Sequence, residues 1–362
     1  MRFRILLFAA LFLFQVSFAQ QPLKVVLAGL THDHVSGVLQ QHRSGKVQII
    51  GIAESNQELA DRVKKRYQLP DSIFYKDLPT ALKVLKPEAV MAFNSISEHI
   101  AVVETCAPLR IPVMVEKPLC ITVKEAERIA ALSRQFNIPV LTNYETTWYA
   151  TNQDIYRKVL DSNAIGGIRK MIAHDGHEGP KEIGVSKEFL GWLTDPKMNG
   201  GGAIVDFGCY GANLMTWMMK GKVPVSVQAV THRIKPSIYP KVDDDATILL
   251  EYADATGIIE ASWNWPFGIK DFEVFGSTGY LQAVNGNTLR SKLKSNAPYS
   301  LSTLANPEEK YSNYIPYLTA VLRGTIVPGN DLSSLANNVI VVRILEAAKE
   351  SARTGRKVLL KP

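Results

Sequence analysis

The chain has 362 residues, 46% of them apolar and 21% charged, with a formal net charge of +7. This length exceeds one ordinary core and predicts two domains, and the composition is that of an ordinary water-soluble globule. The charge is mild, and no basic run or interleaved aromatic patch accompanies it, which excludes nucleic acid as the expected partner.

Met1-Arg2-Phe3-Arg4 is a basic start, residues 5–14 are almost wholly apolar, and Ser17-Phe18-Ala19 places small residues at −3 and −1 of a cleavage point before Gln20. This is the pattern of a secretory signal peptide over residues 1–19, and the apolar run is short for a membrane span. The expectation is a secreted or periplasmic mature protein with no membrane contact beyond export. Cys106, Cys120 and Cys209 are an odd count without metal-ligand spacing, so they predict buried thiols rather than a disulfide framework.

From residue 24 onward, strand-like runs alternate with helix-like ones. Strands are predicted at 25–28, 47–53, 89–93, 111–115 and 139–141, with helices up to about 42 and at 57–67, 97–106 and 123–136. Repeated strand–helix units predict an N-terminal α/β domain, a doubly wound parallel sheet of Rossmann type, over residues 20–143. Beyond it, helix 154–160, strand 168–174 and helix 202–219 are followed by strands 223–231, 246–252, 256–263 and 271–275, then helices 312–322 and 332–353. Successive strands with short turns predict a C-terminal α/β domain, residues 144–362, with a large, mostly antiparallel sheet. Its last helix is expected to pack back on the first domain.

The first turn is Gly29-Leu30-Thr31-His32-Asp33-His34. A dinucleotide fingerprint has glycine at the first, third and sixth places, and here these are Gly29, Thr31 and His34. One glycine survives, although the free N–H groups of the following helix start still suit a phosphate. Glu54 ends the second strand, where an acid binds the ribose hydroxyls of NAD. A like charge there disfavours the 2′-phosphate of NADP. The plainer alternative for Glu54 is a solvated turn residue.

Glu116-Lys117-Pro118 puts a lysine at the carboxyl end of a buried strand, the ligand-binding edge of an open α/β sheet. The second dense segment runs from Gly200-Gly201-Gly202 to Asp206, Gly208 and Tyr210. On one continuous helix Asp206 and Tyr210 share a face. Gly208 and Gly211 each give up roughly 1 kcal/mol of helix propensity, which predicts close packing or a flat ligand. His32-Asp33-His34 and His174-Asp175-Gly176-His177-Glu178 have the composition of metal ligands, but spacing alone is nonspecific. No metal is expected. His177 is read as a sugar contact at the cleft mouth, and Trp192 as a sugar-stacking ring or a core residue.

Glu116-Lys117-Pro118 followed by Gly-Gly-Gly-x-x-x-Asp-x-Gly-x-Tyr resembles the glucose–fructose oxidoreductase / inositol dehydrogenase / rhizopine-catabolism (Gfo/Idh/MocA) family. Further matches are Asn94-Ser95-Ile96 with His99, Asp244-Asp245-Ala246-Thr247, Glu260-Ala261-Ser262-Trp263 and Val274-Phe275-Gly276-Ser277-Thr278-Gly279. The resemblance implies an NAD(P)-dependent oxidoreductase acting on a sugar, polyol or glycoside, and a homo-oligomer joined through the large sheet. It implies a cofactor site of Gly29, Thr31, His32, His34, Glu54, Asn94, Ser95, His99, Glu116 and Lys117. It further implies a cis Pro118, Lys117 as substrate activator, Asp206 as its carboxylate, and Tyr210 as acid/base where histidine is usual. Asn213 stands near the substrate where the family often has aspartate. A free phenol ionises near pH 10, and a neighbouring cation would lower that value, so Lys117 is expected to activate Tyr210. An exported member would hold NAD tightly and recycle it. The alternatives are a redox-neutral NAD-dependent glycosidase or lyase, and a non-catalytic sugar-binding protein with a degenerate nucleotide site.

Overall fold

The computed structural model describes residues 21–329 and 331–361. The predicted signal peptide and its cleavage point lie outside the described residues. No helix among those described is long and apolar enough to cross a membrane.

The first sheet consists of β1 (Leu23–Ala28), β2 (Val47–Ala53), β3 (Phe74–Tyr75), β4 (Ala89–Ala92), β5 (Val113–Glu116) and β6 (Val140–Asn143). All neighbours are parallel, in the order β3-β2-β1-β4-β5-β6. Strands β4, β5 and β6 are buried at every position, because helices cover both faces of a parallel sheet. The order reverses between β1 and β4, and a crevice opens beyond their carboxyl ends at such a point. The chain returns here late. Ile315, Leu318 and Val321 of helix Tyr314–Leu322 complete the core under β1 and β4.

The second sheet has β7 (Ile168–Gly176), β8 (Ser226–His232), β9 (Asp245–Glu251), β10 (Thr256–Ser262), β11 (Ile269–Gly276), β12 (Tyr280–Ala283), β13 (Thr288–Lys292), β14 (Ser300–Thr303) and β15 (Val358–Leu359). Its order is β14-β13-β12-β11-β7-β10-β9-β8-β15. Only β7 and β10 run parallel, so their carboxyl ends, just before His177 and Trp263, emerge on the same side. The sequence pattern missed β3 and β12–β15, each no longer than 5 residues and too short to show a strand period.

The predicted helix 202–219 is two helices, Ala203–Asp206 and Gly208–Met218, meeting at Phe207. Gly208 and Gly211 serve packing rather than a flat ligand. A Cβ on Gly208 would lie 3.0 Å from Ile248, and one on Gly211 would lie 2.7 Å from Ile259 and 3.0 Å from Ala173, so the helix rests directly on the large sheet. The C-terminal helix Leu335–Thr354 joins the two domains. Val342 packs into the first domain's core and Ile344 and Leu345 into the second's.

Gly202 marks the tightest approach. Its N–H and that of Ile204 donate to the Asp243 carboxylate at 2.9 and 2.7 Å, and a Cβ would lie 1.7 Å from the Asp243 carbonyl oxygen. Gly202→Ala is expected to destabilise the protein by about 2 kcal/mol or more. Urea unfolding checks this, and an unchanged midpoint would refute the packing described.

Candidate active site

Two sets of strand ends meet in one cleft: β1, β4 and β5 of the first sheet, and β7 and β10 of the second. The nucleotide side begins at Gly29 (φ +82°), where a Cβ would sit 2.7 Å from Asn94 Cβ. Only glycine suits both that φ and that contact, which explains why this one fingerprint position persists. Glu54 accepts from the N–H groups of Leu30 at 2.8 Å and Asn56 at 2.7 Å, and so ties the ends of β1 and β2 together. Burial raises its carboxyl above the usual range despite these bonds.

Thr31 Oγ1, Asn94 Oδ1, His32 Nε2 and His99 Nε2 are buried with no hydrogen-bond partner among the described residues. Four orphaned polar atoms on the turn and nearby strand ends are costly unless a polar ligand meets them, so the turn fits a dinucleotide. Two expected cofactor contacts have structural roles as well. Ser95 forms a capping box with Glu98. His99 Nδ1 lies 3.2 Å from the Leu119 carbonyl oxygen, and burial drives this imidazole down to about 4.

Strand register places Glu116 opposite Asn143 on β6, and the Asn143 amide donates to Glu116 Oε1 at 2.7 Å. One residue on, the chain turns through a cis Lys117–Pro118 bond. The Lys117 ammonium then reaches Asp206, donating to its carbonyl oxygen at 2.9 Å and to its carboxylate Oδ1. The other carboxylate oxygen accepts from the Trp263 indole N–H at 3.0 Å. Both charged groups are 5% exposed. Burial opposes both charges, yet each partner outweighs it, holding Asp206 below and Lys117 above their ordinary values.

Tyr210 stands beside this pair, its ring centroid 5.1 Å from Lys117 Nζ and 4.8 Å from Lys270 Nζ. The expected activation of its phenol is not what the structure shows. Burial, reinforced by Glu145, Cys209, Asp206 and Glu116, drives the hydroxyl well above 10. Lys117 donates to Asp206 and does not offset this burial. The three cysteines are free and buried, and burial pushes Cys106 and Cys209 up to about 12.

His177 follows β7 at the cleft, with its ring edge-on to Phe207 at 4.9 Å. Its Nδ1 accepts the Gly179 N–H at 2.9 Å, so the neutral ring carries its proton on Nε2. Burial lowers its affinity for a second proton, against the pull of Asp206. Asn213 does not line the cleft as expected, and of its two readings Trp192 takes the core role. Trp192 is 4% exposed, donates to the Thr31 carbonyl at 3.3 Å and packs on His32. Asn213 is buried and donates to the Leu332 carbonyl at 2.8 Å. Both hold parts of the protein together.

Sequence reasoning missed Trp263, Asn143, Lys270, Glu145 and Asp175. Lys270 pairs with Glu145, which also accepts from the Tyr149 hydroxyl at 2.7 Å. Asp175 is buried with Oδ2 unpartnered, and burial raises it well above the carboxylate range. Trp263 was visible as the end of a strand, but its partner Asp206 is set by sheet packing.

Residues 23–144 match the oxidoreductase family model with an NAD-binding Rossmann fold, and residues 155–282 match the GFO/IDH/MocA C-terminal domain. The chain is 24% identical to D-apiose dehydrogenase of Rhizobium rhizogenes over 344 residues, 89% of this chain and 93% of that protein. It is 22% identical to human trans-1,2-dihydrobenzene-1,2-diol dehydrogenase over 264 residues, 72% of this chain and 73% of that one. Among solved structures, an Azotobacter vinelandii inositol dehydrogenase homologue complexed with NAD+ superposes with a TM-score of 0.81 at 20% identity, over 94% and 98% of the two chains. The aldose-aldose oxidoreductase of Caulobacter crescentus complexed with glycerol gives 0.78 at 20% identity, over 94% and 100%.

The buried pair sets a pH test. The depressed Asp206 contributes stability that is present above the unfolded carboxyl value and lost as pH falls through the folded one. The raised Lys117 contributes below the unfolded lysine value and loses this as pH rises. Lys117→Met strands Asp206 as a buried lone charge and is expected to cost about 3–5 kcal/mol at pH 7, with part regained on acidification as Asp206 is protonated. Denaturant titrations at pH 7 and pH 5 check this, and a loss independent of pH would refute the pairing.

Proposed function

We propose, from the premise that the chain belongs to the Gfo/Idh/MocA family of NAD-binding oxidoreductases, that it oxidises a hydroxyl of a sugar, polyol or glycoside, using NAD. The observation that carries this is the buried Lys117–Asp206 pair, which fixes an ammonium where the ends of both sheets meet. The relatives named D-apiose and dihydrodiol dehydrogenases support a polyhydroxylated substrate.

Gly29, Thr31, Asn94 and Glu54 would hold the dinucleotide, with His99 and Glu116 near its reactive end. NAD supplies the hydride acceptor that no side chain can replace. Lys117 has three N–H donors, and Asp206 takes two, leaving the third for a substrate oxygen. Tyr210 offers a second donor to that oxygen, and His177 Nε2–H a third for a neighbouring hydroxyl. Donors fixed in a dry site stabilise negative charge developing on oxygen. Trp263 and Asp206 keep the ammonium from moving. The preference for NAD over NADP follows from the Glu54 charge. Export, if residues 1–19 direct it, pairs with a cofactor retained by the enzyme.

Purified protein denatured in acid is expected to release NAD, identified by mass spectrometry, or, if stripped, to gain thermal stability on adding NAD. Absence of both refutes the reading. Tyr210→Phe removes one such donor and is expected to lower turnover about 10²-fold while leaving NAD affinity within threefold. Undiminished turnover would remove Tyr210 from the site.

A further inference from the structure

The segment His174-Asp175-Gly176-His177-Glu178 is divided by the pleat of β7. Side chains alternate between the two faces along a strand. Ala173 meets Gly211 of helix Gly208–Met218, so Asp175 faces that helix and His174 projects from the opposite face. There, register sets Glu260 of β10 on one side of His174 and Asp271 of β11 on the other. Glu273, two residues further along β11, shares this face. No local motif shows the cluster, because its members come from three strands.

The cluster converges on one point. His174 Nδ1 lies 2.6 Å from Asp271 Oδ1, and Nε2 lies 3.8 Å from Glu260 Oε2. One ligand atom from each of His174, Asp271 and Glu273 lies within 4.8 Å of the other two. Strand β12 steadies both β11 carboxylates with neutral donors. The Gln282 amide donates to Asp271 Oδ2 at 3.1 Å, and the Tyr280 hydroxyl donates to Glu273 Oε2 at 2.7 Å. Each carboxylate is thus held by one oxygen, and the other, Oδ1 or Oε1, is left for a different partner. Among the described residues, no lysine or arginine pairs with Glu260, Asp271 or Glu273, and their one ion-pair partner is His174. The His174 and Asp271 side chains are 27% and 15% exposed, so the cluster is partly withdrawn from water. Carboxylates withdrawn from water are paired or bind a metal.

We propose that His174, Asp271 and Glu273 form a divalent metal site, with zinc the fitting ion. His174 Nδ1, Asp271 Oδ1 and Glu273 Oε1 are the ligands, and water completes a tetrahedral shell. The ion takes the place of the proton between His174 and Asp271, which passes to solvent. Nε2 then carries the ring proton and turns it toward Glu260, as metal-bound histidines donate their other N–H to a carboxylate. An imidazole with two carboxylates suits zinc, whereas calcium and magnesium favour oxygen alone. The ion ties β7 to β11. On the other face of these strands Asp175 stands in register with Lys270, whose ammonium lies over the Tyr210 ring, so the site braces the wall of the cleft from behind. It does not depend on the oxidoreductase reading. His32, His34 and Glu116 also converge, but they belong to the nucleotide turn, and His32 Nδ1 is taken there by the His34 N–H at 3.2 Å.

Two measurements decide it. The whole protein, freed of metal by a chelator and titrated calorimetrically with zinc chloride, is expected to bind zinc saturably. His174→Ala and Glu273→Gln are each expected to weaken that binding about tenfold or more, and His34→Ala to leave it unchanged. Zinc binding that survives His174→Ala marks an adventitious ion only and overturns the proposal. So does binding that is lost with His34→Ala, or the absence of zinc binding. Nitrogen-15 NMR of the wild-type histidine rings at pH 8 decides the matter if a variant fails to fold. Zinc is expected to shift the His174 Nδ1 resonance and leave Nε2 protonated. A His174 ring that zinc leaves unmoved overturns the proposal.

Discussion

Burying an ammonium and a carboxylate is tolerable only when each has a partner, and much of this site follows from satisfying Lys117 and Asp206. The lysine leaves a strand of one domain and the aspartate ends a short helix of the other. Their contact therefore fixes the approach of the two domains as well as the position of a charge. Trp263 supplies the remaining donor to Asp206 from the end of β10. The glycines at 202, 208 and 211 let the helix pair descend onto the large sheet far enough for Asp206 to reach the cleft. A few ångströms of added bulk under that helix would separate the charges.

The nucleotide turn obeys a different constraint. Gly29 persists because a backbone conformation and the close approach of Asn94 both require it. The third and sixth glycines are replaced by Thr31 and His34, and the turn is steadied from outside. Trp192 holds the Thr31 carbonyl, and Asp33 accepts the Ser186 N–H at 2.9 Å. Both contacts come from the second domain, so the turn after β1 is shaped by the other domain of the chain.

Local sequence carried the first domain well, because parallel strands buried on both faces are continuous apolar runs and Glu116-Lys117-Pro118 is contiguous. Asp206 was legible for the same reason. The partners of these residues were not. Asn143 reaches Glu116 through strand register, Lys270 and Glu145 meet across 125 residues of chain, and Trp263 reaches Asp206 through helix-on-sheet packing. The family pattern places Asn213 near the substrate, and the sequence leaves Trp192 between a sugar-stacking and a core role, because a helical sequence does not say which face is wet; both are buried. The protonation of Tyr210 was hidden too, since the sequence showed a cation nearby but not the burial that holds the phenol neutral.

The crystal structure of the protein with NADH and a polyol tests the account most directly. It is predicted to show the nicotinamide beside Lys117, a polyol oxygen within hydrogen-bonding distance of Lys117 Nζ and Tyr210, and the Lys117–Asp206 pair intact. A dinucleotide absent at saturating concentration, or a metal ion held by His32, His34 and Glu116, would contradict it.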